Sequence, residues 1–432
     1  MPAARLSPGS MHEDGSRRQF LRAAGAASVA AAAGSAGCAT VERTLFGVPG
    51  RVDVDGSPAA SADAQFRGGL RRRGVYPEAT VPESVTVDWR LPEVNTGDHT
   101  AAKASPVRAP TGDVVVPGDT GELRAVTPGG EVRWTAETDT DGRGIHGTPA
   151  IANGAVYVGA YDGALYAIDL ETGERYWRAP LGGAIGSSPG YRDGTVYIAV
   201  EFHPPDGSMF AVDAVTGEVE WEGERPTDHP HSTAAIDREA GRLVVGSNDG
   251  TLYAWTYPDI EFEWAFETGG AIKGPVAAHD GSAVFGSWDE RVYRVDLATG
   301  EEEWRAATDG LVMSGPSIEP STGTVYVGSH DSRLYALDLA TGAERWRFDT
   351  GGRLLGCPTV TAESVLAGSY DRHLYAVDKR EGTERWRIAA DGWVTSTPLV
   401  TDDGVYFTDR ASSDYLEDGE GPTGALYRLE AA

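Results

Sequence analysis

The sequence predicts an all-β fold, an eight-bladed β-propeller of four-stranded antiparallel blades, and three observations carry that expectation. One unit recurs along the chain: LYAIDLETGERYWR (165–178), MFAVDAVTGEVEWE (209–222), VYRVDLATGEEEWR (292–305), LYALDLATGAERWR (334–347) and LYAVDKREGTERWR (374–387). The tryptophans closing the units, Trp89, Trp134, Trp177, Trp221, Trp264, Trp304, Trp346 and Trp386, follow one another at intervals of 40 to 45 residues, the length of one blade. Runs such as TVYVGS and RLYALD are rich in Val, Tyr and Leu and are broken every few residues by Gly, Asp or Pro. That content excludes helical repeats of similar length.

Taken in order, the chain opens with an address. Residues 1–37 read as an export signal. Ser16-Arg17-Arg18-Gln19-Phe20-Leu21 matches the twin-arginine pattern in full, with Arg17 and Arg18 as its arginine pair. The Ala/Gly run behind it is too short and too weakly apolar to span a bilayer. Ser35-Ala36-Gly37 before Cys38 resembles a lipoprotein cleavage box, with Ser in place of the usual Leu or Val three residues ahead of the cysteine. Cys38 is therefore the expected lipidation site, and a plain signal with an incidental cysteine is the alternative. Residues 38–80 are rich in Ala, Ser, Gly, Pro and Arg without period, and are expected to form a flexible tether in which Arg71-Arg72-Arg73 is solvated.

Residues 81–432 are expected to form the propeller. One unit reads as four strands, SGPSIE, TVYVGS, RLYALD and ERWRFD. In the turn Asp338 to Gly342, the Asp side chain can accept backbone N–H bonds and the Gly can take a positive φ. LYALD is apolar on successive residues, as a strand covered on both faces must be. The last unit (TSTPLV, GVYFTD, ALYRLE) stops without its tryptophan strand, and Val85 to Arg90, containing Trp89, matches the missing piece. The two are expected to pair and close the eighth blade, which removes an open sheet edge.

Composition bounds the function. The chain carries a net charge of −28. Residues 1–37 hold four arginines against Glu13 and Asp14, so their removal takes the charge to −30. Three lysines, Lys103, Lys273 and Lys379, stand against 34 arginines. Such acid excess with scarce lysine resembles proteins of salt-loving archaea, and a haloarchaeal source is the expectation. A nucleic-acid partner is excluded, because phosphate binding needs a basic footprint. Two cysteines, Cys38 and Cys357, give no disulfide framework and no C-x-x-C metal motif. No metal site and no cofactor are expected.

The repeat L-Y-A-h-D-x-x-T-G-x-x-x-W, preceded by S-x-P and V-Y-V-G-S, resembles the pyrroloquinoline-quinone (PQQ) type propeller repeat over residues 81–432. Two classes share it: quinoprotein dehydrogenases, and non-catalytic scaffolds such as the β-propeller lipoprotein of the bacterial outer-membrane assembly machinery. The resemblance implies that the repeat tryptophans dock between blades rather than stack on a quinone. The dehydrogenases use an adjacent Cys-Cys disulfide beside PQQ and a Ca²⁺ held by Glu, Asn and Asp oxygens. This chain has no Cys-Cys pair, and its asparagines are Asn95, Asn153 and Asn248 alone. The expected function is therefore a monomeric, exported, lipid-anchored propeller on the outer face of the cytoplasmic membrane, binding or scaffolding a protein partner there. The alternatives are a PQQ-dependent oxidoreductase using Ca²⁺ and an extracellular ligand sensor.

A ligand site is expected where the loops before each first strand meet those between second and third strands. These loops bring His146, His231, Lys273 and Arg353 to one mouth of the central channel, a cluster suited to an anionic group. Trp288, His330, Tyr370 and Trp393 belong to the same face. Two loops longer than the repeat, 201–206 and 411–423, are further candidates for partner contacts.

Overall fold

The computed structural model describes residues 64–96, 104–140, 143–410 and 424–432. Arg17, Arg18, Cys38, Lys103 and the loop 411–423 lie outside the described residues. Eight antiparallel sheets follow one another along the chain. Blade I holds Val107–Arg108, Val114–Pro117, Glu122–Val126 and Val132–Glu137. Blades II to VII repeat this order over 150–180, 190–223, 235–267, 277–307, 317–349 and 359–389. Blade VIII has Leu399–Thr401, Gly404–Arg410 and Gly424–Ala431, to which Trp393–Val394 adds at one edge. Its outer strand is Val85–Asn95, running antiparallel to Gly424–Ala431 with Val85 opposite Ala431 and Trp89 opposite Arg428. The first strand of the ring thus closes the last sheet, as the sequence implies, and it runs five residues beyond Arg90.

Burial follows position in the blade. The third strand Ala164–Asp169 is buried at every residue, because neighbouring blades cover both its faces. The outer strand Glu344–Asp349 alternates between exposed and half-buried residues. The core therefore lies between blades: Val284 and Val292 of blade V form one buried cluster with Val325 and Tyr335 of blade VI.

The repeat turn and the repeat tryptophan form one joint. Asp338 Oδ1 accepts from the N–H groups of Ala340 and Thr341 and from the Thr341 hydroxyl, at 3.1, 2.9 and 2.9 Å. Gly342 then takes φ 72°, and its bare Cα lies against the indole of Trp304 from the preceding blade. That indole donates to the carbonyl of Leu339 at 2.9 Å. The same bond joins Trp89 to Pro128, Trp134 to Leu170, Trp177 to Ala214, Trp264 to Leu297 and Trp346 to Lys379. Trp221 meets a blade that has lost its Thr-Gly turn, and packs edge-on against Trp255 with ring centroids 5.9 Å apart.

The expected tether ends sooner than residue 80. Residues 64–80 run along the inner strands and are hydrogen-bonded to them in succession. The Gln65 side chain bonds both backbone groups of Tyr191 in blade III. The carbonyls of Leu70, Arg71, Arg73 and Gly74 accept from the N–H groups of Ile236, Ala278, Ile318 and Val360 in blades IV to VII. Arg67 and Arg72, 3 % and 1 % exposed, fill the space between. Arg67 donates to the carbonyls of Arg72, Gly315 and Pro316 and to the Ser317 hydroxyl. Arg72 donates to the carbonyls of Phe66, Pro189 and Ala234 at 2.9, 2.9 and 3.2 Å. A buried guanidinium must find acceptors for its fixed fork of donors. Here main-chain carbonyls at the inner strands supply them. The solvated Arg71-Arg72-Arg73 of the sequence reading is thus corrected: Arg72 is buried, and Arg71 pairs with Asp237 and Glu239. Among the described residues, no helix is long and apolar enough to cross a membrane.

Candidate functional site at the channel mouth

Carboxylates in the loops between second and third strands fix the geometry of the mouth. Asp289, Asp331 and Asp371 each accept the N–H of the loop entering their own blade, from Gly269, Asp309 and Gly351 at 2.9, 3.0 and 2.7 Å. Each also accepts a tyrosine hydroxyl from its third strand, Tyr293, Tyr335 and Tyr375 at 2.5, 2.6 and 2.6 Å. Burial first, and the adjoining carboxylate second, push these phenols up to about 12. The residue heading each loop is then fixed by its own N–H. Tyr161, Asn248, Trp288, His330 and Tyr370 donate to the carbonyls of Gly144, His229, Ala271, Leu311 and Arg353, all within 3.1 Å.

The candidate residues fall into two groups. In the first, His146 and His231, 1 % and 9 % exposed, stand 6.4 Å apart between ring centroids. Tyr161 packs on His146 at 4.1 Å. Between the blades lies Glu201, 6 % exposed, whose Oε1 is 2.7 Å from His231 Nδ1 and whose Oε2 is 3.6 Å from His229 Nδ1. Lys273 belongs here too. Its ammonium stands 4.0 Å over the Trp288 ring, a cation–π contact. Burial lowers its pKa, opposed by Glu201 and Asp228. The second group holds Arg353, His330, Tyr370 and Trp393. Tyr370 and Trp393 stack at 4.6 Å. Burial first, then the Arg353 charge, lowers the pKa of His330. Burial raises that of Tyr370, and the charges of Arg410 and Arg353 oppose it. Three of the four residues expected to act together are therefore gathered near Glu201, and Arg353 lies with His330.

The sequence singled out residues 201–206 as a long loop but did not place Glu201 in the mouth cluster. Its signal was the long hairpin of blade III: strands Thr195–Phe202 and Asp206–Asp213 have eight residues each, so the position that holds Tyr161 in blade II holds a carboxylate here. Arg410 and Asp119, both buried, were missed as well; their side chains approach to 3.9 Å.

The residues present do not fit a calcium-bound quinone. Calcium wants six to eight oxygen ligands. Glu201 faces imidazoles and an ammonium, and Asp289, Asp331 and Asp371 are taken up by the backbone and tyrosines of their own blades. Asn95 joins Asp119 to Asp409, Asn153 bonds the Tyr191 hydroxyl at a turn, and only Asn248 of the three reaches this face. Cys357 is buried and accepts the Gly315 N–H at 3.2 Å. Among the described residues, no group of three or more His, Cys, Asp or Glu is placed to hold a metal.

Comparison with known proteins places the fold and the family. No curated protein matches the chain. Among solved structures, a europium-containing methanol dehydrogenase superposes with a TM-score of 0.72 at 13% identity, over 85% of this chain and 97% of that one. A quinohemoprotein alcohol dehydrogenase from Comamonas testosteroni gives 0.70 at 15%, over 90% and 83%. BamB from Moraxella catarrhalis gives 0.60 at 15%, over 80% and 98%. These likenesses share the propeller and divide between dehydrogenases and BamB. The family profile described as outer membrane protein assembly factor BamB matches residues 119–239, 230–353 and 330–431. By that match across most of its blades, the chain belongs to the BamB-like family of PQQ-repeat propellers.

Proposed function

We propose that this chain is an exported, lipid-anchored propeller that binds or scaffolds a protein partner at the cell surface and performs no catalysis. The observation that carries the reading is the mismatch between the mouth and a quinone site. Glu201 is taken up by His231 and His229, and no adjacent cysteine pair exists. The interior supports it as well, since Arg67 and Arg72 occupy the space beside the inner strands. Membership in a family described by outer-membrane assembly agrees with protein binding.

A tagged full-length chain, recovered from detergent-solubilised membranes, tests this. A stoichiometric protein companion is expected. A propeller recovered alone, or one that reduces dye with alcohols or sugars after PQQ and Ca²⁺ are added, overturns the reading. Intact mass of the recovered protein checks the anchor: a lipid increment lost in Cys38→Ala supports it.

A further inference from the structure

The same position in three consecutive blades carries a buried polar atom without a partner among the described residues. These are Asn248 Oδ1 in blade IV, Trp288 Nε1 in blade V and His330 Nε2 in blade VI. Folded proteins satisfy nearly all such atoms, because each one left unmade costs about 1–3 kcal/mol. Such atoms occur elsewhere in the ring too, at Arg242, His279 and Arg428 for example. These three, however, head the loops of one arc at the channel mouth, each with its backbone already fixed by the preceding loop.

Two cations flank this arc. Lys273 is one of three lysines in the chain, and its ammonium is held on the Trp288 ring at 4.0 Å. Arg353 is exposed and close enough to lower the pKa of His330. Neighbouring arginines of the same blades, Arg333, Arg345 and Arg385, are paired with carboxylates; Arg353 makes no ion pair among the described residues. Of the acids that face the arc, Asp331 accepts from Tyr335 and the Asp309 N–H, Glu201 from His231, and Asp289 through Oδ2 from Tyr293 and the Gly269 N–H. Asp289 Oδ1 is left without a hydrogen bond, and Asp228 acts on Lys273 by its charge. In a chain of net charge −28, an arc with spare N–H donors between two cations is a selective feature.

We propose that the arc of Asn248, Lys273, Trp288, His330 and Arg353 binds carboxylates, the group through which an acidic partner segment is held. Carboxylate oxygens accept from the Trp288 and His330 N–H groups, and the two cations receive the charge. Asn248 Oδ1 accepts a backbone N–H of the bound segment. This assignment rests on the protein-binding reading and names the chemistry of its contact.

The test titrates the full-length protein at fixed salt with tetraglutamate, tetraglutamine and glutarate, following Trp fluorescence and heat. Saturable binding of tetraglutamate and none of tetraglutamine is expected. Arg353→Gln and Lys273→Gln should each weaken it about tenfold, and Trp288→Phe, which removes the N–H and keeps the ring, about fivefold. Glutarate bound as tightly as tetraglutamate assigns the same carboxylate site to a small diacid; binding of the peptide alone assigns it to a protein segment. No binding by either probe overturns the proposal, as does equal binding in Arg353→Gln and Trp288→Phe. Arg353 is exposed, so that variant keeps the test decisive if Lys273→Gln does not fold. A membrane companion still recovered in stoichiometric amount while both probes fail would sink the carboxylate site and leave the binding-module reading standing.

Discussion

The indole N–H of Trp386 donates to the carbonyl of Pro82, 304 residues earlier, at 2.9 Å. Every other such bond in the ring runs forward to the turn before the next blade's outer strand. Blade VIII has no such turn, because its outer strand comes from the other end of the chain. Pro82, three residues ahead of that strand, takes the turn's place. Closure is thus made by a strand and by a tryptophan joint together. Trp386→Ala should cost about 3–5 kcal/mol. Trp386→Phe, which loses the hydrogen bond and little area, should cost about 1 kcal/mol. Urea unfolding of both variants checks the ratio; equal losses would show that the bond to Pro82 contributes nothing.

Gly342 and Gly154 separate two effects. Both have positive φ, 72° and 73°. A Cβ on Gly154 meets nothing within 4 Å, whereas one on Gly342 would stand 2.7 Å from the Trp304 ring. Gly154→Ala should therefore cost only the left-handed strain, about 1–2 kcal/mol. Gly342→Ala should cost that and a displaced tryptophan, about 2 kcal/mol more. The midpoint of chemical denaturation reads the difference, and intrinsic fluorescence should shift in Gly342→Ala alone.

Arg72 tests whether residues 64–80 are part of the fold. Its substitution by Met strands the carbonyls of Phe66, Pro189 and Ala234, and should cost about 3 kcal/mol or more. Arg71→Ala removes a partly exposed ion pair and should cost about 1 kcal/mol or less. Limited proteolysis should cut Arg72→Met between residues 64 and 80 well before it cuts the wild type. Equal rates would mean that the segment is held without its guanidinium.

Alkaline stability should respond to the tyrosine–aspartate staples. Tyr293, Tyr335 and Tyr375 hold their protons up to about 12 in the fold. In the unfolded chain a tyrosine ionises near about 10. Between those values the folded state binds more protons, so stability falls as pH rises. Below the lower value the contribution is complete. Unfolding curves from about pH 9 to 11.5 should slope down in the wild type and less steeply in Tyr335→Phe.

The sequence by itself determined the number of blades, their four-strand order and the closing of the last by residues near Trp89. These rest on local chemistry: strand runs with residues apolar in succession, an Asp that binds its own turn, and a glycine with positive φ beside a tryptophan. All repeat every 40 to 45 residues. The mouth was legible as a region for the same reason, since position in the repeat fixes the face on which a loop opens. Tertiary structure alone decided the rest. Arg67 and Arg72 look like linker because their partners are main-chain carbonyls, which every residue carries and no sequence marks. Glu201 joins His231, and Arg353 comes near His330, because adjoining blades curve around one axis and turn these loops toward each other. Which side chains then face each other is set by the ring's curvature and the length of each hairpin, and neither is written in any single repeat.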